Sequence, residues 1–183
     1  MDSKVLFIGG IPGLGKSKYA SKIPMLHSKV HHLNLEQMLT YLAEHSFAKQ
    51  VDDLSPEELD QIGKRCLREV EGKADITLLD GSYSHYSPDP GKRKTPIPVS
   101  LQERIDAFIL VDADVQTAIW LRERRQYPKE RMVSVRVQHE LELEKQMAEQ
   151  MAARLGKKLV IVKRQRNVDF VEVLRTTILV MTQ

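Results

Sequence analysis

The sequence predicts an α/β fold in which a parallel sheet is covered by helices on both faces. Two observations favour this class. Apolar runs typical of buried strands alternate with segments of helical periodicity, and the first run ends in a glycine cluster that leads directly into a helix. The length of 183 residues fits one domain better than two independent cores.

The first half of the chain supplies three of the five predicted strands. Residues 5–8 are an apolar run ended by glycines, as in a strand buried on both faces. A helix is expected from near residue 15 to just before Pro24, where a proline would stop it. A weaker strand near 30–33, a helical stretch over 35–42 and a strand at 76–80 follow.

Local signals also place a helix between the second and third strands. Ser55 can cap its N-terminus, Pro56 suits the first helical position and Glu58 can complete a capping box. Residues 81–98 hold four of the eight prolines and no helical pattern, which is typical of a functional loop. The remaining predicted elements are a strand at 107–111, a helix capped by Asp112 or Asp114 and ending near 125, a helix at 133–155 stopped by Gly156, a strand at 158–163 and a helix at 168–181.

Composition excludes several classes of protein. Hydrophobic residues make up 42% and charged residues 29%, which excludes a wholly disordered chain, and a net charge of +3 does not indicate a nucleic-acid partner. Cys66 is the single cysteine, so an intrachain disulfide is excluded, and its place on an apolar helix face predicts a packed thiol. Without a signal peptide or a membrane-length apolar run, we expect a cytoplasmic protein with no membrane partner.

The strongest motif lies near the N-terminus. Gly10-Ile11-Pro12-Gly13-Leu14-Gly15-Lys16-Ser17 matches the phosphate-binding glycine loop, and it stands between a strand and a helix, as its mechanism requires. The glycines let backbone N–H groups point at phosphate oxygens. Lys16 would reach the β- and γ-phosphates, and the Ser17 hydroxyl would join the coordination shell of Mg²⁺. We therefore assign all eight residues to ATP binding.

Asp80 is the natural partner of this loop because it ends a buried strand. Its carboxylate would hold Mg²⁺ together with Ser17, or would bind the acceptor. The next residue is Gly81, not a glutamate that would polarise water, which favours transfer to an acceptor over hydrolysis. No Asn-Lys-x-Asp sequence, the usual reader of guanine, occurs in the chain.

A basic segment over about residues 122–136 is interpreted as a lid. It holds six basic residues against two acidic ones, and such a cluster calls for an anionic partner. Arg122, Arg125 and Arg131 are the candidates for stabilising the charge that develops during phosphoryl transfer. The alternative is a solvated basic turn, paired in part with Glu123 and Glu130.

Five features follow one another along the chain in an order that is typical of one family. They are the glycine loop, Asp80, Lys94-Thr95-Pro96, Leu121-Arg122-Glu123-Arg124-Arg125, and Gly156 before a Val-Ile-Val strand. This order resembles the P-loop nucleoside monophosphate kinases, most closely the archaeal-type adenylate kinases and the small adenylate-kinase-like proteins. The resemblance covers nearly the whole chain. It implies a single P-loop NTPase domain over 1–183 with strand order 2-3-1-4-5, ATP and Mg²⁺ as cosubstrates, and an arginine-bearing lid.

The resemblance also implies where the substrates lie. The monophosphate acceptor would bind between a helical segment at about 34–72 and the loop after Asp80, and the turn after the fifth strand would pack near the adenine of ATP. Archaeal-type relatives are often oligomeric, so a homo-oligomer is left open. The residues carried over are Asn34, Met38, Ser82, Tyr83 and His85 for the acceptor, and Arg164 and Asn167 for ATP.

The chain departs from this family on the acceptor side. The family carries an arginine in the acidic stretch that corresponds to residues 50–54, and none stands here. The Gly-Tyr-Leu-Pro-Gly-like stretch after Lys94-Thr95-Pro96 is replaced by Ile97-Pro98-Val99, and the Arg-x-Arg-Asp pattern of the lid is missing around Arg131. These differences leave the base of the acceptor open.

The sequence therefore predicts a nucleoside monophosphate kinase, with AMP as the first acceptor to test. One alternative is a kinase of a small-metabolite hydroxyl, which needs a base, and Asp80 could serve. The other is a slow ATP-dependent switch or assembly factor that binds a protein or a ribosomal particle through the basic segment.

Overall fold

Five parallel strands form the centre of the fold in a computed structural model, which describes residues 3–70, 73–84 and 97–182. The strands are β1 (Lys4–Gly9), β2 (Val30–Asn34), β3 (Ile76–Asp80), β4 (Ala107–Asp112) and β5 (Lys158–Lys163). Their order in the sheet is β2-β3-β1-β4-β5, and every neighbouring pair is parallel. The predicted strands and their order are confirmed.

Helices cover both faces of this sheet. They are α1 (Lys16–Ala20), α2 (Ile23–Leu26), α3 (Leu35–Phe47), α4 (Pro56–Val70), α5 (Val99–Arg104), α6 (Val115–Glu123), α7 (Ser134–Leu155) and α8 (Phe170–Thr182), with 3-10 turns at Val51–Asp53 and Lys129–Arg131. The single helix predicted up to Pro24 was wrong, because Pro24 lies in the first turn of α2, where its missing N–H is not needed.

The predicted helix termini are confirmed by their hydrogen bonds. Ser55 Oγ accepts from the N–H of Glu58 at 3.2 Å, while Glu58 Oε2 accepts from the N–H of Ser55 at 2.8 Å, which completes the capping box before α4. Asp114 caps α6, accepting from the N–H of Thr117 at 2.7 Å. Gly156 ends α7 with a φ of 62°.

Strand β1 divides the core into two layers, because its successive side chains point to opposite faces. Leu6 and Ile8 pack under α1, α6 and α8, whereas Val5 and Phe7 pack under α3, α4, α5 and part of α7. Cys66 lies fully buried in the second layer, and this burial raises the pKa of its thiol to about 12. The interpretation of Cys66 as a packed thiol is confirmed.

The carboxyl ends of the central strands bring the predicted site residues to one edge of the sheet. Asp80 is opposite Ile8 of β1 and opposite Asn34 of β2, and the glycine loop follows directly after β1. Ligands bind at this edge in open parallel sheets. Within residues 3–70, 73–84 and 97–182, no helix combines the length and the apolarity that a membrane span requires.

Candidate active site

The glycine loop turns back on itself between β1 and α1, and three of its glycines have left-handed backbone conformations. Gly10, Gly13 and Gly15 have φ values of 148°, 100° and 91°. A Cβ atom at Gly10 would lie 2.4 Å from the carbonyl oxygen of Val111, and one at Gly13 would lie 2.7 Å from Cγ of Arg122. Glycine is therefore the residue that fits this tightly curled loop without strain.

Lys16 begins α1 and is 8% exposed. Its Nζ is 3.5 Å from the carbonyl oxygen of Ile11, a long contact that a phosphate oxygen could replace. Burial lowers the pKa of Lys16, while the negative charges of Glu144, Asp80 and Glu36 act in the opposite direction. The nearby carboxylates therefore offset only part of the cost of burying the Lys16 ammonium.

Asp80 is the centre of a hydrogen-bonded cluster and is only 1% exposed. Its Oδ1 accepts from Ser17 Oγ at 2.6 Å and from Asn34 Nδ2 at 2.9 Å, and its Oδ2 is 2.5 Å from His32 Nε2. The structure therefore places Asn34 against Asp80, where it also caps α3, accepting from the N–H of Gln37 at 2.8 Å. His32 was not among the predicted site residues.

The Ser17 and Asp80 oxygens fit the predicted magnesium site. Both are oxygen ligands, and a phosphate-bound Mg²⁺ needs only one or two protein carboxylates beside water and phosphate oxygens. Among the described residues, no group of three or more His, Cys, Asp or Glu side chains is arranged to hold a metal ion. Mg²⁺ bound here would take the rest of its coordination shell from water and nucleotide.

A cleft of about 160 Å³ opens above the glycine loop and contains Lys16 and Ser17. Arg125 and Tyr127 line it from the predicted lid, and an Arg125 nitrogen is only 2.7 Å from where a Cβ of Gly15 would lie. Arg125 therefore lies beside the glycine loop, and its contact with a phosphate stays a prediction.

Arg122 is 1% exposed, and all of its guanidinium nitrogens donate to the protein. Nε and Nη2 donate to the carbonyl oxygen of Pro12 at 3.0 and 2.9 Å, Nη1 to that of Arg131 at 2.6 Å, and Nη2 also to Glu140 at 2.5 Å. Arg122 thus connects the glycine loop to the turn at Lys129–Arg131 and to α7. Its direct contact with a phosphate stays a prediction.

A second, larger cavity of about 550 Å³ adjoins the cleft above the glycine loop, which we call the phosphate cleft. Pro12, Glu36 and Ser82 line both spaces and so form the passage between them. The wall contributed by the helical segment at about 34–72 is apolar with acidic positions, and the lid side is basic. The apolar lining is Ile11, Leu35, Leu39, Val51, Leu54 and Leu59; the acidic lining is Glu36, Glu44, Asp52, Glu140 and Glu144; the basic lining is Arg122, Arg131 and Arg136.

The structure gives the residues predicted beside the acceptor different surroundings. Ser82 lies in the passage between the two cavities. The side chain of Tyr83 is fully buried, packs against Phe7 and donates to the carbonyl oxygen of Ile109 at 3.0 Å, so it lines neither cavity. Met38 packs against the apolar core. His85, like Lys94-Thr95-Pro96, lies outside the described residues.

The turn that follows β5 is anchored by Arg164. Its guanidinium lies over the rings of Tyr19 and Phe170, 5.2 and 5.0 Å from their centres, and Nη2 donates to the Tyr19 hydroxyl at 3.2 Å. Asn167 is exposed in the same turn. Arg164 therefore fixes the turn expected near adenine, and contacts of both residues with ATP stay predictions.

Glu144 belongs to the site, although it was not predicted. It is 2% exposed on α7 and accepts four hydrogen bonds, from the glycine loop and from the start of the loop after β3. Burial raises the pKa of Glu144, while donors from Ser84 and Tyr83 and the charge of Lys16 act in the opposite direction. The sequence signal that could have found Glu144 is its position four residues before Ala148, which places a glutamate on the apolar face of the helix.

Comparison with known proteins shows the fold. No family model matches the chain, and no curated protein is similar to it in sequence. Three similar solved structures are TT1252 from Thermus thermophilus (13% identity, 98% of both chains, TM-score 0.61), shikimate kinase from Bacteroides thetaiotaomicron (13%, 96% of this chain and 95% of that one, 0.57) and shikimate kinase from Acinetobacter baumannii in complex with shikimate (12%, 97% and 91%, 0.53). At these identities the similarity concerns architecture. Together with the strand order and the glycine loop, it shows that this chain has the P-loop NTPase fold.

Proposed function

We propose that this chain is an ATP-dependent kinase that transfers the γ-phosphoryl group of Mg-ATP to a small acceptor. One observation carries the proposal: the phosphate cleft opens through Glu36 and Ser82 into a cavity of about 550 Å³. This volume lies in the range of small-molecule sites, about 300–1,000 Å³. The fold shared with two structures named as shikimate kinases supports the same class of activity.

The donor side follows from the geometry of the loop. Backbone N–H groups and Lys16 would bind the β- and γ-phosphates, and Arg125 would face the charge that develops on the transferred group. Ser17 and Asp80 would hold Mg²⁺, which supplies charge neutralisation when bound. During transfer an acceptor oxygen bonds to the γ-phosphorus, the bond from that phosphorus to the β–γ bridging oxygen breaks, and ADP leaves with the electron pair.

A nucleoside monophosphate, AMP first, is the acceptor that the sequence favours. Arg131 and Arg136 line the lid side of the cavity, where guanidinium groups would pair with the acceptor phosphate. Leu35, Leu39 and Leu54 offer an apolar surface for a base. The second pKa of a phosphate monoester is about 6, so this acceptor oxygen is already ionised near neutral pH and no base is needed.

A hydroxyl acceptor is the second candidate, and the position of Glu36 favours it. Asp80, the base considered from the sequence, is buried, and both of its oxygens are bound by neighbouring side chains. Glu36 lines both cavities in the first turn of α3, at the point where donor and acceptor would meet. A hydroxyl acceptor would pass its proton to the Glu36 carboxylate as its oxygen attacks.

The test is a coupled ADP-release assay with Mg-ATP and two panels of acceptors. One panel holds AMP, CMP, UMP and GMP, and the other holds small hydroxy acids and polyols, with products identified by ³¹P NMR. We expect acceptor-dependent turnover from one panel and its loss in Lys16→Ala. Glu36→Gln should slow transfer to a hydroxyl by about 100-fold or more and leave transfer to a monophosphate within a few-fold. ATP binding without turnover on either panel contradicts the kinase and favours the switch or assembly factor.

A further inference from the structure

Glu144 is a buried carboxylate that the donor chemistry does not use. Its Oε1 accepts from the N–H of Gly10 at 2.9 Å and from the N–H of Tyr83 at 2.7 Å. Its Oε2 accepts from the N–H of Ser84 at 2.9 Å and from the Ser84 hydroxyl at 2.6 Å. A buried carboxylate is costly unless donors surround it, and here both oxygens are fully engaged.

The hydrogen-bond donors to Glu144 come from both sides of the candidate site, the side of the phosphate donor and the side of the acceptor. Gly10 is the first residue of the glycine loop, which would bind ATP. Tyr83 and Ser84 directly follow Ser82, which lines the passage between the two cavities. The pairing of β1 with the β3 segment continues up to Gly81, whose N–H donates to the carbonyl oxygen of Ile8 at 3.0 Å. Gly10 lies two residues after Ile8, and Tyr83 lies two residues after Gly81. The N–H groups of Gly10 and Tyr83 both donate to the Glu144 carboxylate, which therefore joins the two segments.

Helix α7 holds the glycine loop at a second point, one turn before Glu144. Glu140 binds Arg122, which donates to the carbonyl oxygen of Pro12. Gly10 and Pro12 are therefore both tied to the same 22-residue helix, the first directly and the second through an arginine. The loop after β3 is fixed to that helix by the same Glu144 side chain.

We propose that Glu144 is a positioning residue that sets the separation between the phosphate donor and the acceptor. The inference rests on the proposed kinase function and adds a residue to it. Glutamine cannot replace this carboxylate, because its amide nitrogen donates and would face donors of Gly10 and Tyr83, or of Ser84. The variant should therefore let the two segments move apart, and a displacement of about 1 Å can cost about 100-fold in transfer rate.

The experiment compares Glu144→Gln with the wild-type chain and with Glu149→Gln, a matched control. Glu149 lies on the same helix, but its side chain is 53% exposed and 3.9 Å from Lys145. We expect the ATP Kd of Glu144→Gln, measured by calorimetry, to stay within about 3-fold, while kcat for the accepted substrate falls by about 100-fold. Glu149→Gln should match wild type in both. Hydrolysis of ATP by water, which needs no bound acceptor, should stay within about 3-fold.

Two results would overturn the role of Glu144. One is a kcat for transfer within about 3-fold of wild type, and the other is a parallel loss of ATP binding and transfer, which marks a purely structural residue. If Glu144→Gln does not fold, Ser84→Ala serves instead, because it removes one of the four hydrogen-bond donors to Glu144. We expect Ser84→Ala to lower kcat about 5-fold at unchanged ATP affinity. A wild-type kcat in Ser84→Ala would then refute the proposal. A wild-type chain with no acceptor-dependent turnover refutes the kinase itself, whereas turnover retained by Glu144→Gln refutes only the positioning role.

Discussion

Replacing Arg122 with methionine tests how strongly this side chain connects the glycine loop to α7. The methionine keeps much of the apolar stem of arginine but removes every donor of the guanidinium. It leaves the Pro12 carbonyl oxygen without two hydrogen bonds, and it deprives the buried Glu140 carboxylate of one of its two arginine partners. Arg136 remains, with its Nε 2.9 Å from Glu140 Oε1.

The expected cost follows from these contacts. Removing one partner of a buried ion pair destabilises a protein by about 3–5 kcal/mol. Since Arg136 still compensates Glu140, we take the lower end, and the free energy of unfolding should fall by about 3 kcal/mol. For a chain of this size, about 2–4 °C per kcal/mol gives a decrease in Tm of about 6–12 °C. Arg122→Lys should recover only part of this, because one ammonium cannot reproduce the planar fork.

Urea denaturation followed by far-UV circular dichroism measures the change, and Arg68→Met is the matched control. Arg68 is exposed on α4, so its replacement should stay within about 0.5 kcal/mol. A double-mutant cycle with Glu140→Gln should give a coupling energy of at least about 1 kcal/mol. An Arg122→Met chain less than about 1 kcal/mol below wild type, or a coupling near zero, refutes the argument that this contact fastens the loop.

Three further outcomes are expected. Gly13→Ala should destabilise the chain by at least about 2 kcal/mol in urea denaturation, since a Cβ meets a side-chain carbon at 2.7 Å, whereas Gly156→Ala, with open space and a φ of 62°, should cost only about 1 kcal/mol; equal costs would contradict the steric argument. The Cys66 thiol, with its pKa near 12, should react with a disulfide reagent at pH 8 only after denaturation, and rapid native-state labelling would contradict its burial. Asp114→Ala should cost about 1 kcal/mol at pH 7. Hydrogen bonds from the helix start lower the pKa of Asp114, so this difference should shrink as the pH falls below its ordinary value of 3.8, and a pH-independent difference would contradict the cap.

Much of the fold could be predicted because its signals are local. The apolar run at 5–8 followed by glycines requires a buried strand and a tight turn, and the sequence Ser55-Pro56-Glu57-Glu58 contains all groups of its own capping box. Helix α5 was not predicted, since its six residues are too few for a periodicity to stand out. Pro24 was misread because a proline can open a helix as readily as end one.

Candidate site residues could be predicted where they belong to a local motif or end a recognisable strand. The glycine loop and its lysine form one local motif, and Asp80 could be inferred from its place at the end of a strand. His32 and Glu144 were missed because their contacts with Asp80 and Gly10 span 48 and 134 residues. Tyr83 looked like a loop residue, but the turn after β3 directs its side chain into the core, and a sequence does not record that direction.

Strand β5 stands at one margin of the sheet, and its charges affect how copies of this chain could associate. Lys158 and Lys163, one at each end of the strand, are both exposed. The Lys163 ammonium is paired with Asp112, whereas the Lys158 charge would face any strand added along this margin. Charged lysines on an edge strand are a common safeguard against unwanted β-pairing. The β5 margin is therefore unfavourable for edge-to-edge pairing with a further strand.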